Sequence, residues 1–383
     1  REERDAMRTW LIILVVAARI TWAAPVVVNE VVRERVASEK ADFRVVKVIA
    51  ELEHPWAMEF LPDGRMLVTE RPGRLWVRAG ETIREVRGLP EIRTGGQGGL
   101  LDVIAHPRFA ENQMIYLSYA ATYGDGFGTR IARAKLEGET LAEFTVLLEM
   151  SPPGSGGVHF GSRFAFDAQG YLYATFGERG DRDKAQQLDT LHGKIVRLFD
   201  DGRVPDDNPF TGRAGARPEI FSYGHRNPQG LVFDLVSGIL WSHEHGPRGG
   251  DALHVVRPGR NYGWPLATYG REYFGPSIGD VPDRVEGVEQ PVIHWTPSIA
   301  PCGLTVLHGG AFRGWQGNLF AGALAGQHLR RIELDGERVV HQEVLLQEAI
   351  GRIRDVVAAP DGTVWLAVDE GRGGVYRIEP LGD

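Results

Sequence analysis

The chain of 383 residues carries one cysteine, Cys302. A lone thiol excludes a disulfide within the chain, and it excludes a c-type haem, whose Cys-x-x-Cys-His attachment needs two. Any redox electrons must therefore leave to a separate acceptor. Concentrated positive charge is also missing. The formal net charge is -8, and no Lys/Arg-rich stripe with interleaved aromatics occurs, so neither DNA nor RNA is expected as a partner. There is no dense carboxylate loop of the EF-hand kind. Helical periodicity is scarce; only 184–190 suggests helix, within what reads as a loop. No coiled-coil pattern specifies an oligomer.

What the chain has in excess is glycine and proline, 49 and 22 residues. Both favour turns and penalise helix interiors, which points to an all-β fold of many short strands. Apolar residues at 43% and charged residues at 25% are ordinary for a protein with a sizeable core. A phrase recurs: a turn such as Asp63-Gly64, Gln169-Gly170 or Asp361-Gly362, then a short alternating strand. Its clearest copies cover 62–69, 167–174 and 360–367, and looser ones cover 112–119, 234–243 and 314–322. Such spacing, roughly 40 to 50 residues per unit, is that of propeller blades, which bury their faces only by stacking radially. The expectation is a six-bladed β-propeller of four-stranded antiparallel blades; seven blades, or unrelated hairpins in a sandwich, are the alternatives.

Ahead of the repeats, Met7-Arg8-Thr9 leads into the apolar run 10–18, and Ala23-Ala24 offers a small-residue exit before Pro25. The run is too short to span a bilayer and is followed by Arg19, so it reads as an export signal rather than an anchor. Residues 1–24 are thus expected to be a signal peptide with an upstream extension, 25–42 an N-terminal tether or closing strand, and 43–383 the catalytic propeller. The location expected is periplasmic or secreted, without stable membrane insertion after cleavage.

Propeller ligands sit at the channel mouth, so polar residues in Gly-rich loops are the candidates. Gln97 stands in Gly95-Gly96-Gln97-Gly98-Gly99, as either a solvent-facing amide in a bulged turn or a ligand contact. His159, flanked by Gly156-Gly157 and Gly161, is either a satisfied histidine or a general base with a suitable ordinary pKa. Arg226, in Gly224-His225-Arg226-Asn227-Pro228-Gln229-Gly230, is either a salt-bridge partner or a group that stabilises negative charge on an oxygen. The turn at Gly246-Pro247 could direct two carbonyls at a calcium ion. Arg352 and Arg354 alternate, which places them on one strand face, either exposed or gripping a carboxylate.

Together these segments, with His159-Phe160-Gly161-Ser162-Arg163 and Asn261-Tyr262-Gly263-Trp264-Pro265, resemble the soluble PQQ-dependent aldose sugar dehydrogenases, and more distantly the soluble quinoprotein glucose dehydrogenases. The likeness runs from about Val45 to Ile378. It implies oxidation of an aldose or oligosaccharide at the anomeric carbon to the lactone, with pyrroloquinoline quinone (PQQ) and calcium as cofactors and an external electron acceptor. By the same resemblance His159 is the base, Arg226 and Asn227 contact the quinone side, Gln97 stands near substrate and cofactor, Gly246 and Pro247 carbonyls hold calcium, and Arg352 and Arg354 pair with cofactor carboxylates. Two departures stand out. Ala325 occupies a position where the family often has a lysine for PQQ, and Ala252 replaces a glutamate that, with a tyrosine matching Tyr262, holds a second calcium in some relatives. The alternatives are a calcium-dependent propeller lactonase or other hydrolase and a non-catalytic binding propeller. Sugar preference is expected to rest on loops such as 268–280.

Overall fold

The computed structural model describes residues 24–271 and 282–382. All six copies of the recurring phrase lead into the second strand of a blade: Met66–Glu70, Met114–Tyr123, Leu172–Phe176, Ile239–Glu244, Leu319–Ala323 and Val364–Val368. Four of these, Met66–Glu70, Leu172–Phe176, Leu319–Ala323 and Val364–Val368, are buried at every position instead of alternating. A blade has a neighbour on each side, so both faces of its middle strands lie against apolar surface. The alternation expected from the sequence survives mainly in outer strands such as Arg338–Leu345.

Six antiparallel sheets result, five with four strands and one with five. Their first strands, Pro55–Phe60, Leu100–Ala105, Phe164–Phe166, Pro228–Asp234, Pro301–Val306 and Ile353–Ala358, touch one another in sequence around a central channel, the last meeting the first. Blade 6 is composite. Ile353–Ala358, Val364–Val368 and Gly373–Pro380 come from one end of the chain, and Phe43–Leu52 from the other pairs with Gly373–Pro380 to close the ring. The segment 25–42, expected as a tether or closing strand, supplies in Val26–Val36 an additional fifth strand outside the closing one. At that edge Asn29, Glu30, Arg33, Glu34 and Arg35 are exposed, and so are Val26, Val28 and Val31. Residues 1–23, which hold most of the expected export signal, lie outside the described residues.

Hydroxyls on second strands stitch blades 1 to 4 in succession. Thr69 Oγ1 accepts from the Ala57 N–H of its own blade at 3.0 Å and donates to the Leu101 carbonyl of blade 2 at 2.6 Å. Ser118 does the same between Asp102 N–H and the Ser162 carbonyl, at 2.9 and 2.8 Å, and Thr175 between Arg163 N–H and the Pro228 carbonyl, at 2.9 and 3.2 Å. These bonds fix the rotation of successive blades, and with it the registry of the mouth.

Asp102, 7% exposed, faces the channel wall and receives the Phe164 N–H at 2.8 Å. Burial, opposed by the Arg163 charge, pushes its pKa up to about 7. Between roughly pH 4, where an unfolded aspartate ionises, and pH 7 the folded chain therefore holds a proton that the unfolded chain has released. More protons bound in the native state means that this contribution to stability is present at low pH and is lost as pH rises through that window. The expected result is a urea midpoint that falls less between pH 4.5 and 7.5 in Asp102→Asn than in the wild type. Equal falls would show that Asp102 does not carry the dependence.

Candidate active site

The channel mouth opens into a cavity of about 530 Å³ whose lining includes Arg71, Gln97, Asn227, Arg352, Arg354 and Asp369. Arg354 leaves the innermost strand of blade 6 and donates through Nε and Nη2 to one oxygen of Asp369, the Nε bond at 2.9 Å; His54 Nδ1 meets the other oxygen at 2.7 Å. Burial works against ionisation of Asp369, but the Arg354 charge and the bonds from Arg354 and His54 hold its pKa at about 2. Arg352 is exposed just before the strand and donates to the Leu324 carbonyl at 3.2 Å. The two arginines expected to share a face thus do line one cavity. Arg71, which the sequence did not single out, adds a third cation there, and Ala325 contributes no charge.

The loop carrying His159 is locked from two sides. Gln97 accepts the His159 backbone N–H at 2.8 Å through Oε1 and donates its own backbone N–H to the Gly157 carbonyl at 2.9 Å. This close approach requires Gly96, at φ +57°, since a Cβ there would lie 2.3 Å from the Gly157 carbonyl oxygen. On the other side Arg179 donates to the carbonyls of Gly156 and Val158 and packs its guanidinium on the Phe160 ring. The imidazole points its Nδ1 at the carboxylate of Glu178, two residues beyond Leu172–Phe176. A carboxylate only accepts, so Nδ1 carries the proton and Nε2 keeps its lone pair. Burial lowers the His159 pKa, the Glu178 bond raises it and the Arg226 charge lowers it again, leaving it below the ordinary histidine value. The ring is a neutral base at physiological pH.

Asn227 is buried beneath this loop, with Oδ1 accepting the Gly161 N–H at 3.1 Å. Arg226 lies one step outward, lining the adjoining pocket rather than the main cavity. Its Nη1 donates to the Gly246 carbonyl at 2.8 Å, the oxygen expected to hold calcium, and its backbone N–H meets Glu244 at 2.5 Å. Asp251 anchors the turn by accepting the Gly246 N–H at 2.9 Å and, through its other oxygen, the N–H groups of Ile299 and Ala300 at 2.8 Å. The Tyr262 hydroxyl is committed to the Val255 carbonyl at 2.7 Å and the Arg257 N–H at 2.8 Å. Alanine at 252 offers no carboxylate beside Tyr262, and among the described residues no group of three or more His, Cys, Asp or Glu could hold a metal ion. Of the loop expected to set sugar preference, 272–280 lie outside the described residues.

Glu178, Arg71, His54 and Asp369 are the site residues the sequence did not reveal. Glu178 had one usable signal, its place in a Gly177 to Gly180 turn directly after a second strand. Glu178→Gln is expected to lower turnover by about 10- to 100-fold, as for loss of an orienting carboxylate. Because the Glu178 bond raises the His159 pKa, the acidic limb of the pH–rate profile should also move to lower pH. A profile and rate like the wild type would remove Glu178 from the site.

Comparison with known proteins gives the family. The profile of the glucose/sorbosone dehydrogenase family matches residues 52–377. Aldose sugar dehydrogenase YliI of Escherichia coli K12 is 40% identical over 379 residues, covering 97% of this chain and 98% of that protein. Quinoprotein glucose dehydrogenase B of Acinetobacter calcoaceticus is 28% identical, covering 89% and 87%. The PQQ-bound form of aldose sugar dehydrogenase from Streptomyces coelicolor superposes with a TM-score of 0.72 at 30% identity, over 86% of this chain and 95% of that one. A six-bladed propeller with a histidine-bearing Gly-rich loop beside an arginine-lined mouth, matched along most of its length, belongs to the glucose/sorbosone dehydrogenase family.

Proposed function

We propose that the protein oxidises aldoses at the anomeric carbon to the lactone with PQQ and calcium bound, and passes the electrons to an external acceptor. The observation that carries this reading is the crowding of Arg71, Arg352 and Arg354 on one concave surface. Burial, and then the charges of Arg354 and Arg352, lower the Arg71 pKa even with Asp369 nearby. Cations set against one another in a cavity favour an anionic occupant, and a planar ligand bearing several carboxylates suits guanidinium forks. The carbonyls of Gly246 and Pro247 would hold calcium. They are neutral donors, so they suit the ion when an anionic ligand completes its shell, and Arg226 competes for Gly246.

When bound, PQQ would supply a two-electron quinone acceptor and calcium a Lewis acid. His159 Nε2 takes the proton of the anomeric hydroxyl, and Glu178 holds the tautomer and stabilises the imidazolium that forms. Gln97 fixes the His159 backbone, so the base does not swing away from the sugar. Arg226, close enough to influence the His159 pKa, offers positive charge where an oxygen becomes negative. The substrate is a free aldose or the reducing end of an oligosaccharide. The apolar run after Met7-Arg8 supports export to the periplasm or beyond. Among the described residues no helix is long and apolar enough to cross a membrane.

The test is dye-linked oxidation of several aldoses by purified apoprotein, with PQQ and calcium added separately and together. Activity is expected only with both. A folded protein that oxidises no sugar under any combination would reject this function.

A further inference from the structure

The floor of the cavity is organised by Arg163, a residue of the His159-Phe160-Gly161-Ser162-Arg163 segment to which no role was attached. It precedes the innermost strand of blade 3 and is 4% exposed. Its guanidinium reaches the innermost strand of each of the other five blades. The Trp56 ring of blade 1 lies over it at 4.0 Å. Asp102 of blade 2 receives Nη1 at 3.5 Å, and the Gln229 carbonyl of blade 4 receives Nε at 3.0 Å. Cys302 Sγ of blade 5 lies 3.5 Å from Nη2. In blade 6 Asp355 receives Nη1 at 2.7 Å, and the Arg354 carbonyl receives Nη2 at 2.8 Å.

The same group separates two cavities. Below it, Arg163, Asp102 and Asp355 line the central channel. Above it, Trp56, Gln229 and Arg354 line the mouth. Arg354 is thus held twice by the hub, through its own carbonyl and through Cys302, whose sulfur lies 3.4 Å from Arg354 Nη1 and 3.5 Å from Arg163 Nη2. Arg163 itself is not among the residues facing the mouth. Its influence on a ligand there runs through Arg354, Gln229 and Trp56.

We infer that Arg163 is a positioning residue for the cofactor: it ties the six innermost strands at one point beneath the cavity and sets the seat from which Arg354 grips a carboxylate. The inference rests on the function proposed above. A lysine at 163 keeps the charge against Asp102 and Asp355, but its single ammonium cannot make the forked set of bonds.

The test compares PQQ dissociation constants, read by quenching of intrinsic fluorescence in calcium buffer, with thermal unfolding of the same apoproteins. In Arg163→Lys the constant is expected to rise by about tenfold or more, the scale of one charge-assisted hydrogen bond. Arg163→Lys with Arg354→Lys should bind no more weakly than the poorer of the two single variants, because both changes remove one grip. General loosening of the propeller would instead give additive losses. Wild-type affinity in Arg163→Lys, or additive losses in the double variant, overturns the inference. Should Arg163→Lys not fold, Cys302→Ala unties the two guanidiniums without altering charge. A raised constant in that variant supports the inference, and an unchanged one overturns it. Wild-type apoprotein that binds no PQQ would sink the proposed function itself, a result separable from any of these.

Discussion

His159→Ala is expected to lower turnover at saturating aldose by about 10²- to 10⁴-fold, the contribution of a positioned general base. Binding of PQQ should stay close to the wild type, because the bonds that hold the loop, from Gln97 and Arg179, are made to main-chain atoms and do not involve the imidazole. The pH dependence adds a second reading. Protonation of His159 abolishes the base, and burial lowers its pKa. Wild-type turnover should accordingly hold level as pH falls through the ordinary histidine range and decline only below it. The alanine variant should lack that limb. Unchanged turnover in His159→Ala would take the residue out of the mechanism.

Arg354→Met is expected to weaken PQQ retention by about 1.5 to 3 kcal/mol, the value of a charge-assisted hydrogen bond, or roughly 10- to 150-fold in the dissociation constant. The effect has two parts. A cation facing the cavity is lost, and Asp369 loses the partner that contributes most to keeping its pKa near 2, so a buried carboxylate is left with the His54 bond and the Arg71 charge at the cavity wall. With PQQ saturating, the KM for sugar should change little, because the Arg354 side chain bonds to Asp369, Gln229 and Cys302 rather than to the His159 loop, and the bond from Arg163 is made to the main-chain carbonyl, which methionine keeps. Equal retention by variant and wild type, measured by dialysis against calcium buffer, would contradict the assigned grip.

The fold was readable because its signal is local. A turn with glycine at positive φ, as at Gly64, Gly170 and Gly362, followed by a strand rich in β-branched and aromatic residues, needs only neighbouring residues to define it. The misreading of those strands as alternating has the opposite origin: which faces are buried depends on blades far away in the chain. The site divides along the same line. Gln97, His159, Arg226 and Asn227 sit in glycine-flanked loops whose composition marks them, and Arg352 and Arg354 share a visible pattern. Glu178 and Asp369 acquire their roles from His159 and Arg354, 19 and 15 positions away across a strand pair of their own blade, and Arg71 and the hub Arg163 acquire theirs from other blades. Arg163 and Asp355 are separated by 192 positions and meet at 2.7 Å. No window of sequence contains such a pair.

Ring closure by Phe43–Leu52 against Gly373–Pro380 also sets an order of assembly. Blades 1 to 5 are complete before the last strands of blade 6 are made, yet that blade supplies Arg352, Arg354 and Asp369. A growing or shortened chain that lacks Gly373–Pro380 therefore has the His159 loop of blade 3 but no finished seat for an anionic ligand. If the proposed function holds, PQQ loads only after the final strand is in place, and a cut there would remove the seat while leaving His159 and Glu178 untouched.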